Sequence, residues 1–341
     1  MQGDVAIGWG CRNAMESGVE FLQRAGVRMG LLAGATLGGG LRDGDRAMDP
    51  VMAALVRFVR RMGPARPAIP LLRRQYEDGL RLMGVRPDRR VTVAEVAGHG
   101  LMGRLYKPAS AGPGRGSMLY FHGGGFMMGS PASHDAFCRL MAVAGLQVLS
   151  VAYRLAPEHP FPAAHDDARV ALRWAREVLG AHLAVGGDSA GANLAAGLAQ
   201  EPGVVLQVLL YPVVDMVDDA ARYPSLTRFG TGYLLTAEAL RECAALLLPP
   251  GTDRSDARLS PIEGVLEGSA SAVICVAGFD PLHDQGVAYA TALRRAGVPV
   301  TLLEEAGMIH GFADFAGVVP SARRAVDRFV GAVAAAMPGR P

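Results

Sequence analysis

The sequence predicts an α/β protein in which a mostly parallel central sheet is covered by helices on both faces. From about residue 90 onward, short continuous apolar runs typical of buried strands alternate with segments of helical spacing. Half of the 341 residues are hydrophobic, which is enough for a large core. One large domain with an appended cap is therefore expected, and two equal domains are not.

The individual elements follow from the period of the apolar residues. The predicted strands are Val91–Val96, Leu101–Lys107, Ser117–Phe121, Gln147–Tyr153, Leu183–Gly186, Val204–Leu210, Ala272–Ala277 and Val298–Leu303. The predicted helices are Pro50–Arg61, Leu71–Met83, Ser133–Ala144, Ala164–Leu179, Ala190–Ala199, Ala237–Leu248 and Asp284–Arg295. Thr236 and Asp284 are predicted N-caps, and the glycine-rich segment Ser110–Gly116 is predicted to be a turn.

The chain divides into unequal parts. Residues 1–45 form an N-terminal extension, and the sequence leaves open whether it is disordered or covers a site. Residues 46–88 are predicted to form cap helices, and residues 89–341 the main α/β domain. Between about residues 212 and 260 several prolines interrupt the alternation of strands and helices, so we expect a cap insertion there.

Composition and charge exclude several classes of protein. A net charge of +2 with interspersed acids and bases leaves no basic stripe for nucleic acid. The apolar stretch Met29–Gly40 is shorter than the roughly 20 residues of a membrane span, and acidic residues precede it where a signal peptide would be basic. The scattered cysteines indicate free thiols in a cytoplasmic protein, and no H-E-x-x-H motif occurs, so neither a metal nor a cofactor is expected.

A candidate nucleophile lies at Ser189. The apolar run Leu183–Val185 leads into Gly187-Asp188-Ser189-Ala190-Gly191, which has the form of a strand entering a sharp turn before a helix. Glycines on both sides allow such a turn to push the serine hydroxyl above the sheet. The N-terminus of the following helix would favour negative charge near that hydroxyl.

A second motif, His122-Gly123-Gly124-Gly125, follows the apolar strand that ends at Phe121. Three consecutive glycines cost conformational entropy, and they are useful where bare backbone N–H groups must approach a ligand closely. An oxyanion hole requires such groups, because the carbonyl oxygen of an attacked ester becomes anionic. We assign its donors to Gly124, Gly125 and Ala190.

Two further motifs could activate the serine. Asp280 and His310 each follow a predicted buried strand. A serine hydroxyl needs an imidazole to take its proton and a carboxylate to orient that imidazole. The chain order Ser189, Asp280, His310 is the order of the α/β-hydrolase arrangement and differs from the orders of the common serine proteases.

Together these motifs resemble a known family. The segments 122–126 (HGGGF), 153–163 (YRLAPEHPFPA), 187–191 (GDSAG), 280–286 (DPLHDQG) and 310–312 (HGF) are similar to those of the hormone-sensitive lipase-like (family IV) bacterial esterases of the α/β-hydrolase superfamily. The resemblance implies Ser189 as nucleophile, His310 as general base and acid, Asp280 as its partner, and the three amides named above as the oxyanion hole. It also implies an apolar acyl pocket beneath the cap.

Neighbouring residues have alternative interpretations. His122 and Gly123 are interpreted as support for the glycine loop, and Asp188 as a brace for the serine turn. Glu158 and Arg154 are expected to form one network under that loop. Asp284 remains an alternative to Asp280 as the triad acid.

These observations predict a serine esterase that hydrolyses short- to medium-chain carboxylic esters through an acyl-enzyme. The predicted partner is a small ester, with neither nucleic acid nor membrane, and pairing of sheet edges into a homodimer is left open. An amide hydrolase, or a non-catalytic receptor on the same fold, remains an alternative. Many relatives carry aromatic residues in the helix of the cap insertion, predicted here at Ala237–Leu248. This chain has Leu240, Cys243, Ala244 and Leu246 there, so its pocket could differ in shape.

Overall fold

The computed structural model of the protein describes residues 23–338 apart from 37, 39, 63–67, 109–115 and 218. Its strands are β1 (Arg42–Asp43), β2 (Arg46–Ala47), β3 (Thr92–Gly98), β4 (Leu101–Lys107), β5 (Gly116–Phe121), β6 (Leu146–Ala152), β7 (Leu183–Asp188), β8 (Val204–Leu210), β9 (Ser271–Phe279) and β10 (Val300–Ile309). Its helices are α1 (23–36), α2 (Pro50–Met62), α3 (Ile69–Met83), α4 (Asp135–Val143), α5 (Ala163–Leu179), α6 (Ala190–Ala196), α7 (Ser225–Arg228), α8 (Ala237–Leu247), α9 (His283–Arg295) and α10 (Pro320–Ala336).

Eight strands form the main sheet in the order β10-β9-β8-β7-β5-β6-β4-β3. The pairs β3–β4 and β4–β6 are antiparallel, and all other neighbours in this sheet are parallel. Every residue of β5 and β7 is buried, as expected for parallel strands covered on both faces. This burial explains the apolar runs Met118–Phe121 and Leu183–Val185 within these strands.

The alternation of side chains along the strands divides the core between the two faces of the sheet. In β5, Met118 and Tyr120 belong to a cluster that includes residues of α4 and α10. Leu119 and Phe121 belong to a second cluster, which includes residues of α5, α6 and α9. The predicted class, a mostly parallel sheet with helices on both faces, is confirmed.

Several predicted boundaries need correction. Strand β10 begins at Val300 and continues to Ile309, so the predicted range Val298–Leu303 starts too early and ends six residues too soon. Helix α6 ends at Ala196, three residues before the predicted end. Helix α10 was not predicted from the sequence. Most of the predicted turn Ser110–Gly116 lies outside the described residues, although its last residue begins β5.

The two predicted N-caps have different outcomes. The hydroxyl of Thr236 accepts a hydrogen bond from the backbone N–H of Ala239 at 3.0 Å, so this N-cap of α8 is confirmed. Asp284 lies inside the first turn of α9, whose N-cap position is Leu282. Its carboxylate instead accepts the backbone N–H of Ser225 at 2.8 Å, so the predicted capping role is wrong.

Part of the N-terminal extension packs onto the rest of the chain. Leu31 of α1 is buried in the same cluster as Met52 and Leu55 of α2. The Arg57 guanidinium donates a hydrogen bond to the carbonyl oxygen of Gly34 at 3.2 Å. Residues 1–22 lie outside the described part of the chain. Within that part, no helix is both long enough and apolar enough to cross a membrane.

Candidate active site

The candidate site lies where parallel strands end side by side. In the sheet register, Phe121 of β5 pairs with Gly187 of β7, and Asp188 of β7 pairs with Leu210 of β8. The carboxyl ends of parallel strands form the usual location of a site in an α/β fold. The residues that directly follow β5, β7, β8, β9 and β10 are, in that order, His122, Ser189, Tyr211, Asp280 and His310.

Ser189 occupies the turn between β7 and α6. Its backbone has φ 52° and ψ −117°, a conformation that non-glycine residues rarely adopt. The turn is tight enough that a Cβ on Gly191 would collide with the carbonyl oxygens of Phe121 and His122. Gly187 and Gly191 therefore permit the close approach of this turn to the end of β5. This is the strained serine turn that the motif predicts.

The three residues predicted as a triad are in hydrogen-bond contact. His310 Nε2 lies 2.9 Å from Ser189 Oγ, and His310 Nδ1 lies 2.8 Å from Asp280 Oδ2. The other carboxylate oxygen of Asp280 accepts the backbone N–H of Leu282 at 2.8 Å. Asp280 is 1% exposed, so its orientation is fixed from both sides in a buried setting.

The environment of His310 favours a proton on the imidazole. Burial lowers the pKa of His310, but the charge of Asp280 and its hydrogen bond outweigh that effect, so the net pKa is raised above 6.5. The ring of Tyr211 lies against the imidazole, with 4.8 Å between the ring centroids. The arrangement can therefore take a proton from the serine hydroxyl and stabilise the imidazolium that results.

The glycine loop presents free backbone amides beside the serine. Gly124 and Gly125 have φ of 113° and 62°, in the region that favours glycine. Among the described residues, neither of their N–H groups donates a backbone hydrogen bond. Ala190 is the first residue of α6, so its N–H has no partner within the helix. All three residues line the same cavity as Ser189 and His310.

Buried side chains hold this loop against the serine turn. Asp188 Oδ1 accepts hydrogen bonds from the Tyr120 hydroxyl at 2.6 Å and from the Gly123 N–H at 2.8 Å. His122 Nδ1 lies 2.8 Å from the Gly123 carbonyl oxygen, and its ring stacks on Tyr153 with 4.3 Å between centroids. Burial lowers the pKa of His122 to about 3, so this imidazole is neutral and donates from Nδ1.

Glu158 and Arg154 were expected to form one network, but they have different partners. Both carboxylate oxygens of Glu158 accept hydrogen bonds from Arg73 of α3, at 2.9 and 2.7 Å. Arg154 pairs instead with Asp167, at 2.7 Å. The two charged residues of one sequence motif therefore belong to separate ion pairs.

Arg73 connects α3 directly to the loop region. Besides Glu158, it donates to the carbonyl oxygens of Met127 at 2.7 Å and Ala156 at 3.0 Å. Met127 lies two residues after Gly125, and its own N–H bonds to the carbonyl of Gly124 at 3.0 Å. Sequence reasoning missed Arg73, because nothing in the chain around it indicates these contacts.

Asp284, the alternative triad acid, lies away from the imidazole of His310. Its carboxylate contacts Nδ1 of His283 at 2.9 Å and the backbone of Ser225. The hydrogen bond from His283 lowers the pKa of Asp284 below its usual range. Asp280 is thus the carboxylate that the structure brings to His310.

Ser189 opens into a cavity of about 620 Å³ with a mainly apolar wall. Side chains from α2 and α3 and from the segment between β8 and β9 form much of that wall. They include Val59, Leu72, Leu80, Leu226, Leu240, Cys243 and Leu247. Cys243 of α8 lies directly over the glycine loop, with its sulfur 2.9 Å from the position of a Cβ on Gly125.

Two wall residues near His310 were not identified from the sequence as site residues. Tyr211 follows β8, and its hydroxyl is buried without a hydrogen-bond partner among the described residues. Asp314 lies in the 3₁₀ turn Phe312–Phe315, four residues after His310. Its position just after the HGF motif was a signal that could have marked it.

Comparison with known proteins agrees with this geometry. Residues 118–314 match a family described as the alpha/beta hydrolase fold. The chain is 38% identical to an ethyl acetate hydrolase of Pseudomonas putida over 305 residues, which cover 81% of this chain and 95% of that protein. It is 39% identical to the carboxylesterase NlhH of Mycobacterium tuberculosis over 273 residues, covering 74% of this chain and 84% of that protein.

A solved structure resembles the fold closely. The hyperthermophilic esterase from the archaeon Pyrobaculum calidifontis superimposes with a TM-score of 0.76 at 32% identity, covering 84% of this chain and 98% of that one. Fold, strand-end site and relatives define this chain as an α/β hydrolase. Within that superfamily it belongs to the hormone-sensitive lipase-like, family IV, esterases.

Proposed function

We propose that this protein is a serine carboxylesterase that hydrolyses short- to medium-chain carboxylic esters through an acyl-enzyme intermediate. Ser189 is the nucleophile, His310 the general base and acid, and Asp280 the group that orients His310. The N–H groups of Gly124, Gly125 and Ala190 stabilise the oxyanion. The names of the esterase relatives support this class of reaction.

The reaction has two stages. His310 takes the Ser189 proton as the hydroxyl oxygen attacks the ester carbonyl, and then gives it to the departing alcohol. A water molecule next loses a proton to His310 as its oxygen attacks the acyl carbonyl. His310 then gives this proton to the serine oxygen as the bond to the acyl group breaks, which releases the carboxylic acid and restores Ser189. Asp280 remains ionised throughout and stabilises the imidazolium in both stages.

One observation carries the proposal: His310 Nε2 lies 2.9 Å from Ser189 Oγ while Nδ1 is held by Asp280. A receptor on this fold would not need a base in contact with the serine. The free amides of Gly124 and Gly125 on the same wall add the donors that acyl transfer requires.

The cavity supports small and medium-sized ester substrates. We propose that residues 46–88 and about 212–260 act as a cap, since α2, α3 and α8 contribute to the wall around Ser189. The burial of Leu31 of α1 in one cluster with Met52 and Leu55 of α2 supports including α1 in this cap. The apolar wall favours acyl groups that lack charge.

The direct test is Ser189→Ala assayed with p-nitrophenyl butyrate. We expect turnover to fall by at least about 10⁴-fold while substrate binding is retained, because only the nucleophile is removed. Near-normal turnover in this variant would refute the proposal. A matched anilide, p-nitrobutyranilide, assayed with the unaltered protein, distinguishes an esterase from an amide hydrolase.

We also propose a cytoplasmic location. Cys138, Cys243 and Cys275 are free thiols, which supports a reducing compartment. Homodimer formation stays a prediction, for which β3 and β10 at the edges of the sheet are the candidate surfaces. Sedimentation of the purified protein would test it.

A further inference from the structure

The wall beside His310 carries a carboxyl group that the proposed mechanism does not use. Asp314 follows the left-handed residue Gly311, and its backbone N–H bonds to the Gly311 carbonyl at 3.0 Å. The side chain folds back over that glycine, so that Oδ2 would lie 3.5 Å from a Cβ placed there. Asp314 therefore lies next to the candidate base, on the wall of the cavity that contains Ser189.

No partner among the described residues neutralises this carboxyl. Burial and the charge of Asp188 raise the pKa of Asp314, whereas the charges of His134 and His310 lower it, and the net result is a pKa of about 7. Neither a hydrogen bond nor an ion pair with a described side chain contributes to this shift. The other acids on the cavity wall differ in this respect. Asp188 is bonded by Tyr120 and Gly123, and Asp215 by Tyr223.

Two tyrosines share this part of the wall. Tyr76 of α3 and Tyr211 both line the cavity, and the charge of Asp314 is the nearby charge that acts most strongly on each phenol. Burial, helped by that charge, raises both tyrosine pKa values well above 10, so both phenols stay protonated and can donate hydrogen bonds. Within the described part of the chain, the buried Tyr211 hydroxyl has no hydrogen-bond partner.

We propose that Asp314, with Tyr76 and Tyr211, forms a polar subsite that binds a hydroxyl group of the ester substrate. A hydroxyl both donates and accepts, which matches one carboxyl acceptor beside two phenol donors. In an otherwise apolar cavity such groups select substrates by their polar substituents. The inference rests on the proposed esterase function and narrows its substrate class to hydroxylated esters.

The experiment uses two pairs of esters in which a hydroxyl of one member is replaced, in the other, by hydrogen in the first pair and by a methyl group in the second. Ethyl 3-hydroxybutyrate is compared with ethyl butyrate for the acyl side, and 2-hydroxyethyl butyrate with propyl butyrate for the alcohol side. The measured quantity is the kcat/KM of the hydroxylated ester divided by that of the other ester in the pair. In at least one pair, Asp314→Leu should lower this ratio by about 5-fold or more, as expected for the loss of one hydrogen bond.

A second variant keeps the test decisive if Asp314→Leu fails to fold. Tyr76→Phe removes one oxygen, leaves the ring in place, and should lower the ratio in the same pair. Tyr233→Phe is the matched control, because Tyr233 is absent from the cavity wall, and it should leave both ratios unchanged.

Different results would refute the hydroxyl subsite and the esterase function. If the unaltered protein hydrolyses the unsubstituted esters but neither Asp314→Leu nor Tyr76→Phe changes a ratio, the subsite is refuted and the esterase function stands. If the unaltered protein hydrolyses none of the four esters, the proposed function itself fails.

Discussion

The carboxylate of Asp188 accepts the backbone N–H of Gly123 at 2.8 Å, so the residue before the candidate nucleophile is bonded directly to the glycine loop. The same oxygen accepts the Tyr120 hydroxyl and lies 3.4 Å from His134 Nε2. Burial alone would raise the pKa of Asp188, but the charge of His134 and the hydrogen bond from Tyr120 lower it overall. A buried ionised carboxylate thus ties the turn that carries Ser189 to the loop that carries the proposed oxyanion donors.

Asp280→Asn tests whether Asp280 orients His310 in the candidate triad, because it leaves the Ser189 hydroxyl in place. The amide keeps the size of the side chain but removes the charge that holds His310 in its reactive tautomer. We expect kcat for p-nitrophenyl butyrate to fall by about 10⁴-fold with little change in KM. Asp284→Asn is the control and should retain most activity. An equal loss in both variants would contradict the assignment of Asp280.

Arg73→Met should lower kcat through the glycine loop. The substitution keeps an unbranched side chain but removes the hydrogen bonds to Glu158, Met127 and Ala156. Small displacements of catalytic groups are costly, so we expect kcat to fall by about 10- to 100-fold. Steady-state kinetics with p-nitrophenyl butyrate measure this effect.

The neighbouring residue provides the control for Arg73. Arg74 is exposed on the same helix, and Arg74→Met should leave kcat unchanged. If Arg73→Met lowers only the melting temperature and not kcat, the ion pair is structural and does not position the loop.

The sequence predicted the parts of the site that local motifs encode. The three candidate triad residues, Ser189, Asp280 and His310, each follow a strand in a short segment that contains glycine or proline. Each could therefore be recognised from its own segment, without knowing which residues it contacts. Their chain order then indicated that the strand ends bring them together. Parallel strands had to bury both faces, which made the sheet itself predictable from continuous apolar runs.

The sequence could not predict contacts that depend on distant packing. Arg73 and Glu158 are 85 positions apart, and neither sequence neighbourhood specifies the other. The environment of Asp314 likewise depends on α3 and on the residue after β8, which converge only in the folded chain. The start of β10 was misplaced because apolar residues precede the strand, and pattern alone does not mark where sheet pairing begins.

The acidic side of the pH–rate profile should depend on Asp314. His310 must be neutral to act as a base, so kcat/KM falls as the pH drops through its pKa. The negative charge of Asp314 is among the effects that raise the pKa of His310, and that charge develops as the pH rises through about 7. Removing it in Asp314→Asn lowers the pKa of His310, so the acidic midpoint should shift to lower pH.

The control for this charge effect is Asp253→Asn, at an exposed position that does not line the cavity. Its kcat/KM profile for ethyl butyrate should match that of the unaltered protein. An unchanged acidic midpoint in Asp314→Asn would show that the carboxyl does not act on His310.

Gly191→Ala should destabilise the fold as well as the site. A Cβ at this position would collide with the carbonyl oxygens of Phe121 and His122, and backbone atoms cannot move aside as a flexible side chain can. We expect a loss of at least about 3 kcal/mol in the free energy of unfolding. Gly331→Ala is the matched control, because a Cβ there meets nothing within 4 Å on the exposed side of α10. Gly331→Ala should raise the free energy of unfolding by about 0.5–1 kcal/mol, since alanine is favoured over glycine within a helix. Urea unfolding of both variants measures the difference, and similar stabilities would mean that the turn at Ser189 relaxes to accept a side chain.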